Sequence, residues 1–271
     1  MVVDMGGNTN HPDNDWIPGV FETITSIVNL IQYDARYRFL IDNLMVLKHG
    51  FMTKRSIQLN KAIRHLKTCD DVMPQLIATA GPCTIRTDRN RFRMLVRSII
   101  GQQLSTHAAR TIRKRLDVLL QSTDYQPEKM IVSTLEDLQE IGISRQKGAY
   151  ILGLTRAILD KQLQLSNIGR FKDETIITQL TQIRGIGRWT AHMFLIFSLG
   201  RLDVFPDGDL GINNSIRKHY HLVSKPDRQT MEQIARPWQP FRSIGAWYCW
   251  RSLDFKPVSY THLTLPTSDL V

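Results

Sequence analysis

Two glycines between basic residues form the strongest chemical signal in the sequence. They lie in IRGIGRWTA (183–191), between two stretches with helical periodicity. A Gly-x-Gly turn lets backbone N–H groups face outward at the start of the next helix, where the helix dipole favours an anion. Ile186 is expected to be buried and to hold the two helices together. Although a lone Gly-x-Gly also marks ordinary turns, the surrounding charge predicts a phosphate-binding hairpin made of Arg184, Gly185, Ile186, Gly187, Arg188 and Thr190.

A carboxylate follows this hairpin in Pro206-Asp207-Gly208-Asp209-Leu210-Gly211. Asp209 is a predicted helix N-cap, and Gly208 is expected to let the chain turn before it. A carboxylate that accepts helix N–H bonds stays ionised, which suits electrostatic catalysis. Two alternatives stay open at this point: Asp209 is only a helix cap, or Asp207 is the functional carboxylate.

The composition favours a polyanionic partner. The 271 residues include 35 Lys and Arg against 25 Asp and Glu, a net charge of +10, and 42% are apolar. Residues 1–35 hold acidic residues but neither Lys nor Arg, so the basic excess lies in the rest of the chain. We expect nucleic acid as the first partner and an anionic membrane surface as the second. The apolar fraction excludes wholesale disorder.

The cysteines argue against several classes of protein. Cys69, Cys83 and Cys249 are far apart and form no Cys-x-x-Cys pair, so a disulfide scaffold, a zinc site and an iron–sulfur cluster lose support. We expect no metal ligands among the side chains. No run approaches 18 apolar residues, and no signal-peptide pattern opens the chain. These features predict a soluble intracellular protein, cytoplasmic or nucleoid-associated, or nuclear in a eukaryote.

The elements that must position these residues are helical. The predicted helices lie at about 56–67, 71–80, 90–103, 105–121, 133–140, 145–160, 173–182, 187–199, 209–220, 227–235 and 241–252. Ser133 with Glu136 predicts a capping box, and Ser105, Ser144 and Asp173 are predicted N-caps. No period-two strand pattern is evident, so the expected fold class is all-α.

Both ends of the chain depart from this pattern. Residues 1–18 are rich in Asn, Asp, Gly and Pro and are predicted to be disordered. The first 51 residues form either an appendage or a mis-assigned start. The last 15 residues, PVSYTHLTLPTSDLV, resemble translated sequencing-adapter sequence, with a genuine flexible tail as the alternative. We predict an N-terminal extension over 1–52, one domain over 53–256 and a non-native tail over 257–271.

Together with its neighbours, the hairpin segment resembles the helix-hairpin-helix (HhH-GPD) DNA glycosylases. The resemblance is carried by LTQIRGIGRWTAHMFLIFSLGRLDVFPDGDLGI and, in matching order, by LVRSIIGQQLSTHAARTIRKRL, LQEIGISRQKGAYILGL and ARPWQPFRSIGAWYCWRSL. It spans about residues 56–253 and is nearest to the DNA-3-methyladenine glycosylase II family. It implies two lobes, about 93–207 and 56–92 with 208–253, and an active-site cleft between them.

The resemblance also implies a reaction. The family's catalytic aspartate matches Asp209, which is implied to stabilise an oxocarbenium-like sugar. Bifunctional relatives carry a lysine at the position of Trp189, and Lys147 does not match it. Without that amine the Schiff-base route is closed, so a monofunctional enzyme is implied, in which water attacks the sugar. Cationic alkylated purines such as 3-methyladenine leave readily and need little acid help. The implied partner is double-stranded DNA with alkylated bases, in base excision repair.

The everted base needs aromatic faces on which to stack. Trp189 matches a pocket position of the family, and Tyr248 with one or more of Trp238, Trp247 and Trp250 are further candidates. Phe205 and Met193 complete the candidate pocket, although Met193 replaces an aromatic residue of some relatives. The alternative for each is a place in the core.

The turn at 101–105 matches the place where the family inserts a side chain into the gap left by the everted base. Gln103 is the positional match, Leu104 is the better apolar wedge, and the alternative for Ser105 is a helix cap. We expect a monomer without a redox cofactor, and relatives suggest a monovalent cation at the hairpin carbonyls. Two other functions stay open: a mismatch glycosylase, although four cysteines for its cluster are lacking, and a non-catalytic DNA-binding protein.

Overall fold

The computed structural model describes residues 54–254, and the regular elements of this stretch are helices. The predictions for the N-terminal extension and the C-terminal tail lie outside the described residues. The all-α fold class is confirmed. The α-helices within 54–254 are α1 (Lys54–Leu66), α2 (Met73–Ala80), α3 (Arg91–Gly101), α4 (Thr106–Leu119), α5 (Pro127–Met130), α6 (Leu135–Glu140), α7 (Arg145–Leu159), α8 (Asp173–Thr181), α9 (Arg188–Phe197), α10 (Leu210–His219), α11 (Arg228–Ala235) and α12 (Arg242–Ser252).

Three short elements escaped the sequence analysis. These are α5 and two 3-10 turns, Ile168–Arg170 and Arg236–Trp238. Each has three or four residues, which is too short for a helical period to appear in the sequence.

The helix starts follow local capping chemistry. Ser105 and Ser144 cap α4 and α7 with their side chains, as predicted. The prediction for Asp173 is wrong, because Lys172 occupies the N-cap and Asp173 is the first residue of α8. The Asp173 carboxylate instead pairs with Arg201 at 3.0 Å.

The predicted capping box lies one residue later than expected. Thr134, not Ser133, accepts the N–H of Asp137, and the Asp137 carboxylate accepts the N–H of Thr134. Glu136 therefore plays no part in the box. Because hydroxyl and acidic residues lie side by side in this sequence, the motif fits two registers, Ser133 with Glu136 and Thr134 with Asp137. The helix begins in the second register.

The helices pack in two groups. In the first group α9 packs against α3 and α8, and α7 packs against α3, α5 and α6. In the second group α12 packs against α2 and α10. Residues 59–254 belong to one unit, and both groups lie within it. None of the helices in the described part of the chain is long and apolar enough to cross a bilayer.

Candidate active site

Asp209 is the N-cap of α10, as predicted, and its carboxylate accepts three hydrogen bonds. Oδ1 accepts the backbone N–H of Ile212 at 2.9 Å and the indole N–H of Trp250 at 2.8 Å. Oδ2 accepts the indole N–H of Trp189 at 2.6 Å. Asp209 is 8% exposed. Because all three donors are neutral, they orient the carboxylate without cancelling its charge.

The two indoles bring the helix groups together at this carboxylate. Trp189 lies in the first turn of α9, in the first group, and Trp250 lies near the end of α12, in the second. Both side chains are half-buried. A Cβ on Gly211 would lie 3.1 Å from both Asp209 Oδ1 and Trp250 Cδ1, so glycine leaves room for this contact. Both tryptophans are predicted pocket residues, but no local pattern in the sequence signals that their N–H groups meet Asp209.

The alternative carboxylate has a different environment. Asp207 Oδ2 lies 2.6 Å from Arg228 Nε, and Asp207 Oδ1 accepts the N–H of Gly208. Asn213 donates to the carbonyl oxygens of both Asp207 and Asp209 and so fixes the turn between them. The ion pair neutralises Asp207 and leaves Asp209 as the carboxylate without a counter-ion among its three donors. Glycine is expected at position 208 to allow the turn, but the structure does not require it. The φ of Gly208 is not positive, and a Cβ there meets nothing within 4 Å.

The two hairpin glycines play different parts. Gly185 has a φ of +92°, and a Cβ there would lie 2.1 Å from the ring of Tyr150. Gly187 is the N-cap of α9 with a φ of −90°, and a Cβ there meets nothing within 4 Å. Ile186 is 3% exposed, which confirms its predicted burial. The packing thus requires glycine at position 185. At position 187 the missing side chain leaves the N-terminus of α9 accessible from solvent.

The hairpin charges are unequal. Arg184 is exposed, whereas Arg188 forms a two-pronged ion pair with Glu174, with N–O distances of 2.8 and 3.2 Å. This pair raises the pKa of Arg188 and lowers the pKa of Glu174. Thr190 is 1% exposed, so its side chain faces the interior and not the predicted phosphate surface.

The predicted wedge lies at the turn between α3 and α4. Gln103 is exposed and has a φ of +55°, a region that few residues other than glycine adopt. Leu104 is 39% exposed, although it is a large apolar residue. Ser105 caps α4 through a 3.2 Å hydrogen bond from the N–H of Ala108. An exposed apolar side chain on a strained turn is the geometry that insertion into a duplex requires.

Tyr248 and Trp247 occupy the core instead of an open pocket. Tyr248 is fully buried, and its hydroxyl donates to the carbonyl oxygen of Gly81 at 3.2 Å. Trp247 is 8% exposed and packs edge-on against Tyr248, with the Arg251 guanidinium 5.8 Å from its ring centre. Neither ring offers a free face to a base in this structure.

Phe205, Met193 and Trp238 are buried as well. Phe205 packs edge-on against Trp238, which is fully buried. Trp238 lies so close to α12 that a Cβ on Gly245 would be 2.6 Å from its ring. Met193 is 6% exposed and belongs to the core. Of the predicted pocket side chains, Trp189 and Trp250 are therefore the two that are half-buried beside Asp209.

A charged cavity of about 230 Å³ lies beside Asp207 and Arg228. Its lining includes the buried His192, whose pKa is lowered by burial and by the charge of Arg188. A larger cavity of about 630 Å³ lies behind the hairpin, against Tyr150. Asp209 lines neither cavity. Within residues 54–254 there is no cluster of His, Cys, Asp and Glu side chains that could hold a metal ion.

Two residues that the sequence analysis did not assign contact the hairpin and the wedge turn. Gln102 donates to the carbonyl oxygen of Gly185 and to Thr190 Oγ1, each at 3.0 Å. Lys147 Nζ donates to the carbonyl oxygens of Ile100 and Gln102 at 2.8 and 2.6 Å. No local pattern signals these bonds, because the partners are 45 or more residues apart along the chain.

Comparisons with known proteins identify the family of this chain. The family model described as "HhH-GPD superfamily base excision DNA repair protein" matches residues 96–240, which include the hairpin and Asp209. The alkylbase DNA glycosidase-like protein mag2 of Schizosaccharomyces pombe is 32% identical over 70% of this chain and 92% of its own length. DNA-3-methyladenine glycosylase 1 of the same yeast is 31% identical, over 72% and 87%. A putative DNA-3-methyladenine glycosylase of Bacillus subtilis is 32% identical, and the match spans 60% of its length.

Solved structures give the same result. The 3-methyladenine DNA glycosylase Mag1 of Schizosaccharomyces pombe, in complex with abasic DNA, superposes with a TM-score of 0.65. It is 31% identical, over 72% of this chain and 97% of that one. A DNA-3-methyladenine glycosidase from Bacillus halodurans has a TM-score of 0.60 and 32% identity, over 70% and 88%.

Proposed function

Because this chain belongs to the HhH-GPD superfamily of base excision DNA repair proteins, we propose that it hydrolyses the N-glycosidic bond of alkylated purines of the 3-methyladenine type in double-stranded DNA. The observation that carries the proposal is the Asp209 carboxylate, which Trp189 and Trp250 hold between the two helix groups. The relatives named as 3-methyladenine glycosylases support the substrate class.

The carboxylate acts on the charge that develops as the base departs. When the glycosidic bond lengthens, positive charge spreads over C1′ and the ring oxygen of the sugar. The Asp209 carboxylate is held by three hydrogen bonds and is largely shielded from solvent, so it stabilises this charge without reorganising. Water then adds to C1′ and releases a proton, which leaves an abasic site.

The leaving group needs no acid from the protein. An N-alkylated purine is already cationic and departs as a neutral base. The indole rings of Trp189 and Trp250 are half-buried, with their N–H edges on Asp209. In the proposed complex their faces contact the base, since a cationic ring is attracted to an indole by about 0.5–2 kcal/mol. The substrate and the carboxylate thus share the same two side chains.

The hairpin and the wedge turn bind DNA without reading its sequence. The N-terminus of α9, opened by Gly187, and the exposed Arg184 provide N–H groups and charge for phosphates. Gln103 and Leu104 fill the gap that the everted base leaves. The hairpin carbonyl oxygen of Ile183 accepts the N–H of Ile186 and retains a second lone pair, which suits a monovalent cation. We propose a monomeric enzyme, and no step above depends on that cation.

Release of free base from methylated DNA tests the proposal. Duplex DNA treated with a methylating agent is incubated with the protein, and free 3-methyladenine is measured by chromatography. We expect release by the wild type and almost none by Asp209→Asn. Equal release by both proteins removes Asp209 from its role. A covalent protein–DNA adduct trapped by borohydride would contradict the monofunctional mechanism.

A further inference from the structure

We propose that Gln102 and Lys147 are positioning residues that tie the wedge turn (101–105) to the hairpin (183–187). They hold the side chain that fills the gap at a fixed distance from the phosphate-binding hairpin. Insertion of this side chain into the duplex and eversion of the base then occur together. This inference rests on the proposed function, because it assigns a role in base eversion.

Gln102 clamps the hairpin from the end of α3. Its side-chain nitrogen donates to the Gly185 carbonyl oxygen and to Thr190 Oγ1, both at 3.0 Å. An amide nitrogen carries two hydrogens, so both bonds form at once. Gly185 precedes the N-terminus of α9 and Thr190 lies in its first turn. One side chain therefore holds both sides of the anion-binding turn.

Lys147 holds the backbone of the same residue. Its Nζ donates to the carbonyl oxygens of Ile100 and Gln102, at the C-terminal end of α3. Helix C-terminal carbonyls lack helical partners, and a cation there is favourable. Lys147 is half-buried, and burial lowers its pKa. Lys147 thus fixes the backbone of Gln102, while the Gln102 side chain fixes the hairpin.

Ser105 anchors the end of the wedge turn to α4, but the residues before it are held only weakly by local bonds. Ahead of Ser105, the N–H of Gln102 donates to the carbonyl oxygen of Ile99 and the N–H of Leu104 donates to that of Gly101, and both bonds are long at 3.3 Å. Gln103 has a φ of +55°, which a non-glycine residue keeps only when its surroundings impose it. The two long-range contacts supply that constraint directly next to Gln103 and Leu104.

Loss of the Gln102 and Lys147 contacts is expected to slow excision from duplex DNA more than excision from a single strand. Misplacing a group by about 1 Å costs up to about a hundredfold in rate, and the wedge matters only where a base must leave a stack. A single-stranded substrate has no duplex gap to fill. Excision from a duplex therefore depends on Gln102 and Lys147, whereas excision from a single strand depends on them much less.

Fluorescence of 2-aminopurine tests the inference without using catalysis. The base analogue is placed beside a tetrahydrofuran abasic-site analogue in a duplex, where insertion of the wedge changes its stacking. The variants are Lys147→Met and Gln102→Leu, with Lys147→Arg as the conservative rescue and the exposed Lys129→Met as the matched control. At saturating protein, we expect Lys147→Met and Gln102→Leu to lose most of the signal, and the other two to keep it.

Excision rates give the second readout. For Lys147→Met and Gln102→Leu we expect single-turnover release from a methylated duplex to slow by about tenfold or more, and release from the single strand to change much less. Wild-type fluorescence and a wild-type ratio of the two rates in both variants would overturn the inference. An equal loss on both substrates with a lowered melting temperature would also overturn it, because the residues would then be merely structural. If the wild type releases no base at all, the proposed function fails, and the fluorescence still decides the inference.

Discussion

The indole N–H of Trp189 lies 2.6 Å from Oδ2 of Asp209. The lone pair of an indole nitrogen belongs to its π system, so this group donates a hydrogen bond but cannot attack a sugar. The residue that orients the carboxylate is therefore incapable of Schiff-base chemistry. This contact is consistent with both the proposed stabilising role of Asp209 and the proposed absence of strand cleavage.

The two indole donors are expected to contribute unequally. In Trp189→Phe, Oδ2 loses the hydrogen bond at 2.6 Å, whereas in Trp250→Phe, Oδ1 still accepts the N–H of Ile212. A hydrogen bond to a charged group is worth about 1.5–3 kcal/mol, so Trp189→Phe should slow excision by about ten- to a hundredfold. Trp250→Phe should slow it less. Single-turnover release of 3-methyladenine measures both, and the reverse order would contradict the geometry.

Asp209→Asn should inactivate the enzyme and leave the fold intact. The amide oxygen can take the place of Oδ1 and still cap α10, but the amide nitrogen at the place of Oδ2 cannot accept the Trp189 N–H, and the neutral side chain no longer stabilises the cationic sugar. We expect a loss of about a hundred- to a thousandfold in the excision rate. Asp207→Asn is the matched control, because it breaks the ion pair with Arg228 and leaves Asp209 in place. Comparable inactivation of the control would shift the assignment to Asp207.

Alanine at the two hairpin glycines should separate stability from DNA binding. Gly185→Ala forces a Cβ into the ring of Tyr150 at a φ of +92°, so we expect a loss of about 1–3 kcal/mol in the free energy of unfolding. Gly187→Ala has free space and an ordinary φ. It should melt like the wild type and yet bind unrelated duplexes more weakly to the same degree, because phosphate contacts carry no sequence information.

Melting curves and fluorescence anisotropy on two unrelated duplexes make this comparison. Destabilisation by Gly187→Ala, or a binding loss confined to one of the duplexes, would contradict the proposal that the N-terminus of α9 faces a phosphate.

Removing the partner of Arg188 should strengthen DNA binding. Glu174 is largely exposed and pairs with Arg188 at 2.8 Å, which reduces the positive charge of the hairpin. In Glu174→Gln that charge is available to a phosphate. We expect tighter binding at low salt, and a plot of log K against log salt that is steeper by up to about 0.9. A salt titration of the affinity measures this, and an unchanged slope would place Arg188 outside the interface.

His192 should make the fold sensitive to mild acid. Burial and the charge of Arg188 lower its pKa below the ordinary histidine value of 6.5, while the carboxylates of Glu174 and Asp207 and the guanidinium of Arg228 also face it. Between the lowered pKa and 6.5 the unfolded chain binds more protons than the folded one. The contribution to stability is thus complete above about pH 6.5 and is lost as the pH falls, by up to about 1.4 kcal/mol per pH unit.

His192→Asn tests this dependence because asparagine is polar and does not titrate. Chemical denaturation between pH 5 and pH 8 should give a flatter profile for the variant than for the wild type. Identical profiles would assign the acid sensitivity to other groups, of which His219, whose pKa is also lowered by burial, is the first to examine.

Local patterns in the sequence determined the helical class, the buried Ile186 and the N-cap role of Asp209. Helical periodicity and capping depend on residues three or four positions apart, and those relationships are visible in the chain itself. The same patterns predicted α12 as a helix but did not show which of its residues face a pocket, because this helix is buried on most of its sides and periodicity cannot single out one face. Tyr248 and Trp247 therefore could not be told from pocket residues before the packing was known.

Tertiary packing alone decided which side chains meet. The bonds from Trp189 and Trp250 to Asp209, and from Gln102 to Gly185, join residues 20, 41 and 83 positions apart. The pairing of Asp207 with Arg228 likewise depended on where α11 lies. Sequence spacing carries no information on contacts between separate helices, because these contacts are set by how the helices dock and not by the period within any one of them.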